Sequence, residues 1–184
     1  MKKLTFIISI IISLLIFLCK PKKVVTPSYV HPPFYPGTNI PIGPGDLLFS
    51  PIGKSESKYV GHVGIVDCNH QVVHSIPAGL VKDSVPAYHN KFRFITVYAP
   101  IELQHGENAA AHLNTIYERD SKASYKISTA LGSKDNEQYC TKIVWQCYKF
   151  GAGINLGGLS SKAKAVHPSL IKHSSFLYKK GAIN

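Results

Sequence analysis

At 184 residues, 45% hydrophobic and 17% charged, the chain is long enough to bury the core of one ordinary domain and too apolar to be disordered throughout. Its 21 Lys and Arg face 10 Asp and Glu, and the resulting net charge of +11 favours anionic partners such as acidic wall polymers or lipid headgroups. The lysines are scattered from Lys54 to Lys164 with no reading motif, so nucleic acid is not an expected partner.

In chain order, Met1-Lys2-Lys3 precedes an uncharged, mostly apolar run from Leu4 to Leu18. A comfortable membrane crossing takes about 20 residues, so residues 1–19 read as a signal peptide or a short membrane anchor. No small-x-small cleavage site closes the run, and Lys20, Lys22 and Lys23 follow it, which leaves retention open. Cys19 stands where a lipoprotein signal carries its lipidated Cys, although Leu18 before it is not small. The expectation is an exported, cell-envelope protein, periplasmic or membrane-anchored, held at the membrane through this segment. Residues 20–44, rich in Pro, read as an extended spacer, and residues 45–184 as the domain.

Within the domain, Leu47-Leu48-Phe49 predicts a short buried strand. Val63-Gly64-Ile65-Val66 and Gln71-Val72-Val73-His74-Ser75, separated by the turn-prone Asp67-Cys68-Asn69-His70, predict a hairpin, and 93–98 predicts a further strand. Helical spacing then places helices over 108–119 and 136–150. The fold class is α+β, an antiparallel sheet packed against helices.

Cys19, Cys68, Cys140 and Cys147 form no disulfide framework, which suggests a thiol kept for chemistry. Cys140 falls in the first turn of the second helix, where unpaired N–H groups favour a thiolate. A low thiol pKa, and alkylation ahead of Cys68 and Cys147, would follow; a small buried hydrophobe fits the same spacing. Symmetric pairing of the hairpin about residue 68 would set His62 directly across from His74, with Cβ atoms about 5 Å apart. One imidazole would then accept the thiol proton while the other orients it. Two structural sheet histidines are the alternative. A metal site at Cys68-x-His70 with His62 or His74 lacks a second closely spaced ligand pair, so neither metal nor cofactor is expected.

Gly61-His62-Val63-Gly64-Ile65-Val66, with His74 twelve residues after His62, resembles the histidine hairpin of NlpC-type cell-wall cysteine peptidases, a papain-like superfamily. Gly45-Asp46-Leu47-Leu48-Phe49 resembles their Gly-Asp strand, and Tyr139-Cys140-Thr141-Lys142-Ile143-Val144 their Cys helix. Here the Cys follows the His, an order similar to the circularly permuted YiiX/YebB-like group, whose closing segment Val166-His167-Pro168-Ser169-Leu170 resembles. The resemblance, over roughly 45–178, implies a permuted papain-like fold with Cys140 as nucleophile, His62 as base and His74 as orienting residue. Tyr125 and Tyr139 are candidates to line the substrate site. Lys142 departs from the Glu usual in the group, and His74 from the Glu of many permuted members.

The activity expected is amide hydrolysis through a thioester, directed at peptidoglycan peptides. Its rival is lipid-directed acyl transfer or hydrolysis, as in relatives of lecithin retinol acyltransferase, because a thioester passes its acyl group to an amine as readily as to water. A non-catalytic, basic envelope-binding module is the remaining alternative. The partner is accordingly a peptidoglycan peptide or a lipid, and the sequence does not set the oligomeric state.

Overall fold

The computed structural model describes residues 33–53 and 60–184; the leader, Cys19 and the polar loop at 55–58 lie outside them. A six-stranded antiparallel sheet is built from β1 (Leu47–Ser50), β2 (His62–Val66), β3 (Gln71–Ile76), β4 (Gly79–Ser84), β5 (Ile95–Pro100) and β8 (Leu177–Ile183), in the order β4-β3-β2-β1-β5-β8. A parallel pair, β6 (Ser124–Tyr125) and β7 (Glu137–Gln138), stands apart from it. The helices are α1 (Val85–Lys91), α2 (Leu103–Asp120) and α3 (Cys140–Gln146), and α3 continues as a π-helical turn, Cys147–Gly151.

The central strands read as unbroken apolar runs because both sheet faces are covered. Leu47, Phe49, Val63, Ile65 and Val73 pack against Ala109, Leu113 and Ile116 of α2 and Ile143, Val144 and Trp145 of α3. The alternate residues Leu48, Val66, Val72, Ile95 and Val97 pack against Val85 and Tyr88 of α1, with Phe92, Tyr35 and Ile42.

Part of the segment expected as a spacer packs onto the sheet. Tyr35 is 1% exposed and donates from its hydroxyl to Asp46 Oδ2 at 2.9 Å. Asp46 Oδ2 also receives the Gly43 N–H and Lys180 Nζ, each at 2.9 Å, so one buried carboxylate ties residues 35–43 and β8 to β1. Pro residues make this segment extended, and two buried apolar side chains dock it.

The hairpin is also shifted. Ile65 pairs with Val73 and Val66 with Val72, a register centred on residue 69. Continued, it sets His62 opposite Ile76 and makes His74 a diagonal neighbour, and the two-residue shift preserves parity, so both imidazoles keep one face. Beyond Ile65 the β2 residues His62–Gly64 pair with β1, while β3 goes on pairing with β4 through Ile76. The sheet thus opens between β2 and β3 at this end. Strands β4 and β8 and helix α1 are absent from the sequence reading, and the helix expected over 136–150 starts at Cys140, after β7.

Candidate active site

Cys140 is the first residue of α3, with Tyr139 as an extended N-cap (φ −148°, ψ 164°), so the expected first-turn placement holds. Its sulfur lies 3.9 Å from Thr141 Oγ1 and receives backbone N–H groups of Val63, Thr141 and Cys140 itself. Val63 adjoins His62 at the opening between β2 and β3, which brings the thiol from the helical face to the histidine strand. Burial nevertheless pushes the Cys140 thiol above its ordinary value, outweighing those hydrogen bonds, and the residue is 4% exposed. The expected low pKa is therefore reversed: desolvation exceeds the helix-terminus effect.

His62, His74 and Asp83 form a line on the α1 face. His62 Nε2 is 3.0 Å from His74 Nδ1, and His74 Nε2 is 2.8 Å from Asp83 Oδ2. Lys91 Nζ donates to both Asp83 oxygens, at 2.8 and 2.7 Å. Burial raises the Asp83 carboxyl, but hydrogen bonds from Lys91 and His74 outweigh it and hold the group below its usual range. An ionised carboxylate only accepts, so His74 donates from Nε2 and accepts at Nδ1. His62 then donates from Nε2, which leaves the lone pair on its Nδ1. The line fixes His62 as a free base.

Burial lowers the pKa of both imidazoles, that of His62 well below 6.5 with His74 adding to the effect, and that of His74 against the opposing pull of Asp83. The His62 ring stacks on Phe92 at 4.4 Å and 3°, and His74 meets Tyr88 edge-on at 5.0 Å. Gly64 admits this packing, since a Cβ there would lie 2.6 Å from Val72 Cγ1 and 3.0 Å from Tyr88 Cε2. Neither ring nitrogen of His62 hydrogen-bonds the Cys140 sulfur.

A small cavity of about 70 Å³ holds Cys140 and Thr141 with Tyr125, Ile127, Tyr139 and Val166, so both expected tyrosines line it. Burial pushes the Tyr125 and Tyr139 phenols up to about 12, which keeps them neutral. A larger cavity of about 570 Å³ holds His62, His74, Ser75, Ile76 and Phe92 and shares Val60, Tyr125 and Ile127 with the first.

Asp83, Lys91 and Ser75 escaped the sequence reading. Ile76-Pro77-Ala78-Gly79 after a β-rich run is a hairpin signal that would have found β4 and set Asp83 near His74. Lys142 is wholly buried, and its Nζ donates to Thr129 Oγ1, Ser133 Oγ, Asp135 Oδ1 and the Glu137 carbonyl at 2.7–3.2 Å. It ties the loop before β7 to the Cys140 helix. Cys68, Cys140 and Cys147 are free thiols, and among the described residues no three His, Cys, Asp or Glu side chains are grouped to hold a metal.

The fold matches the crystal structure of the metalloprotein yiiX from Escherichia coli O157:H7 (DUF1105), with a TM-score of 0.52 and 14% identity over 74% of this chain and 95% of that one. The architecture is thus the permuted, NlpC-like papain fold. No curated protein matches the chain in sequence. The family model of the LnsA-like lipoprotein N-acylation proteins matches residues 3–166, a span that takes in the N-terminal apolar run, the histidine hairpin and the Cys140 helix, and the chain belongs to that family.

Proposed function

We propose that the protein is an acyltransferase that moves a fatty acyl group from a lipid ester to an amine of a lipoprotein, through a thioester on Cys140. The observation that carries this reading is the family match across the whole site, residues 3–166. The mainly apolar walls of both cavities support it over the peptidoglycan peptidase expected first, because a stem peptide is polar and charged whereas an acyl chain is not. Family membership also supports an envelope location.

In the first half-reaction Cys140 Sγ attacks the ester carbonyl carbon, and the thiol proton passes to His62 Nδ1. The S–C bond forms, the C–O bond breaks, and His62 returns the proton to the departing alkoxide as an alcohol. In the second, the amine nitrogen attacks the thioester carbon, its proton moves to His62, and the C–S bond breaks as the sulfur takes that proton back. Ester plus amine becomes amide plus alcohol. Backbone N–H groups at the α3 start, Cys140 among them, stabilise the oxyanion of each tetrahedral intermediate. His74, held by Asp83, orients His62 and supports the transient imidazolium.

Full-length protein in detergent, given a phospholipid with a labelled acyl chain and a diacylated lipopeptide with a free N-terminal amine, tests the reading. Expected are a covalent acyl adduct on Cys140 by intact mass spectrometry and a labelled amide on the lipopeptide, both lost in Cys140→Ala. Cleavage of muropeptides without acyl transfer would restore the peptidase reading.

A further inference from the structure

Three cavities adjoin where the chain enters β2. The Cys140 cavity shares Val60, Tyr125 and Ile127 with the histidine cavity, and a third, of about 120 Å³, shares Gly61 with the histidine cavity and His167 and Pro168 with the Cys140 cavity. Their walls include large apolar side chains that folding leaves outside: Ile52 and Phe94 at the third cavity, Val60 and Ile127 at the other two, each between 44% and 54% exposed. These residues are contiguous rather than scattered. Ile52 Cγ1 lies 3.6 Å from where a Gly61 Cβ would stand, Gly61 follows Val60 in the chain, and Val60 meets Ile127 along two cavities. Single exposed hydrophobics are ordinary, but a contiguous group marks a surface that meets an apolar partner. Phe94 adds a local sign of this. It takes the left-handed region at φ 55°, which a bulky residue avoids, and its ring stays half exposed, so core packing does not account for the strain.

The charge at this rim has one sign. Among the described residues, none of the three cavities is lined by Asp or Glu, whereas Lys172 lines the third and Lys91, paired to Asp83, lines the histidine cavity. Arg93 is exposed beside Phe94. Lys172 Nζ lies 4.6 Å from the Phe49 ring centroid and 5.2 Å from that of Tyr98, over aromatic faces instead of a carboxylate. Burial and then the neighbouring Lys179 lower its pKa, so an anion supplied from outside would be held there. Acidic side chains stand elsewhere: Asp67 and Glu107 act on Cys68, at the other end of β2 from Val60.

Resting on the acyltransfer reading for the choice of a lipid over another apolar partner, we infer that the face bearing Ile52, Val60, Phe94 and Ile127 docks on an anionic phospholipid surface. The apolar side chains enter the boundary between headgroups and acyl chains, and Lys172 and Arg93 meet headgroup phosphates. An apolar group flanked by cations and free of carboxylates is complementary to that surface in both respects. The docked face places the mouths of the cavities at the bilayer interface. A lipid can then pass into them without exposing its chains to water, an exposure whose unfavourable free energy grows with every CH₂.

The chain has one Trp, Trp145, which is buried in the core, so a Trp introduced on the surface reports separately. The test uses the full chain reconstituted with phosphatidylglycerol or phosphatidylcholine vesicles whose acyl chains are brominated or plain, and reads Trp emission. Because the N-terminal run is present throughout, attachment through it is common to every arm, and only contact of this face moves the signal. Phe94→Trp and Ile127→Trp, two independent positions at exposed side chains, should shift to the blue and be quenched at least about twofold by brominated phosphatidylglycerol. Glu107→Trp, near the far end of β2, should do neither. Lys172→Gln should weaken docking of the Phe94→Trp protein about fivefold, and higher ionic strength should weaken it too. The inference is overturned if both rim positions stay unquenched, if Glu107→Trp is quenched equally, or if phosphatidylcholine acts as well as phosphatidylglycerol. A blue shift that grows with protein concentration in detergent without vesicles would mark a surface between copies of the chain and overturn it as well. The same emission is expected with Cys140→Ala added, so failure of acyl transfer, read as the missing adduct on Cys140, is a separate outcome from failure of docking.

Discussion

Asp83 does its work two residues away from the sulfur. Because it is an ionised acceptor, it dictates which nitrogen of His74 carries the proton, and His74 does the same for His62. Asp83→Asn keeps the shape but lets its amide donate, which inverts both tautomers and places a proton on His62 Nδ1. We predict a fall in kcat of at least about 10²-fold with little change in melting temperature, measured as acyl transfer per folded enzyme. The pH profile should be distinctive. His62 stays unprotonated well below 6.5 and the Cys140 thiol titrates above 9.0, so kcat/KM is expected to be flat between those values. A narrow bell centred near 6.5 would contradict a resting neutral pair. Thiol reactivity follows from the same burial: iodoacetamide at neutral pH should label the exposed Cys68 before Cys140, and preferential Cys140 labelling would show that the thiolate is stabilised after all.

At the scale of elements, the site depends on a sheet that pairs fully on one side of β2 and only partly on the other. The short β2–β3 pairing opens the space in which α3 delivers Cys140 to Val63, and Gly64 lets Tyr88 approach behind the histidines. Gly64→Ala should destabilise the fold by about 1–3 kcal/mol through overpacking, since its Cβ would meet Val72 at 2.6 Å, and should also reduce activity by displacing the His62 ring. Denaturant unfolding measures the first effect, and an unchanged midpoint would rule it out. Lys142 has a comparable role for the other half of the site. Its buried ammonium draws 129–137 onto α3, and in return Asp135 is held at about 2, where hydrogen bonds from Lys142, Thr129 and Ser133 outweigh desolvation. Lys142→Met should increase amide exchange across 129–138, the segment that leads into Tyr139 and Cys140, more than in β1 or β5. Uniform protection would show that the loop holds without it.

For the molecule as a whole, the buried neutral histidines have a consequence for acid stability. The folded pKa values of His62 and His74 lie below 6.5, so between those values and 6.5 the unfolded chain binds more protons than the folded one. Stability is then complete above 6.5 and falls as pH drops through that window. Asp46 works the other way, since burial raises its folded pKa above 3.8 and protonation there favours the fold, while Asp83, depressed below 3.8, loses its contribution at still lower pH. Thermal melts at pH 7.5, 6.5 and 5.5 should show the decline begin near 6.5; equal melting temperatures would mean that the imidazoles are not buried neutral.

Much of this was written locally. Cys140 in a helix first turn, His62 and His74 on one face of a hairpin and the α+β class are properties of short segments whose periodicity and spacing are visible along the chain, while the permuted order was legible only through the family resemblance. Parity alone secures the shared face of the histidines, which is why the register shift left them together. The rest depends on partners distant in sequence. Asp83 and Lys91 complete the hydrogen-bonded line only because β4 returns beside β3 and α1 folds over it, and Asp46 holds Tyr35 and Lys180 only when β8 joins the sheet beyond β5, two places from β1. The height of the Cys140 pKa was decided by burial, which no local pattern reveals, and so desolvation overruled the helix terminus that the sequence displays. The two cavities exist only where β2, β6 and the 165–168 segment converge in the folded chain.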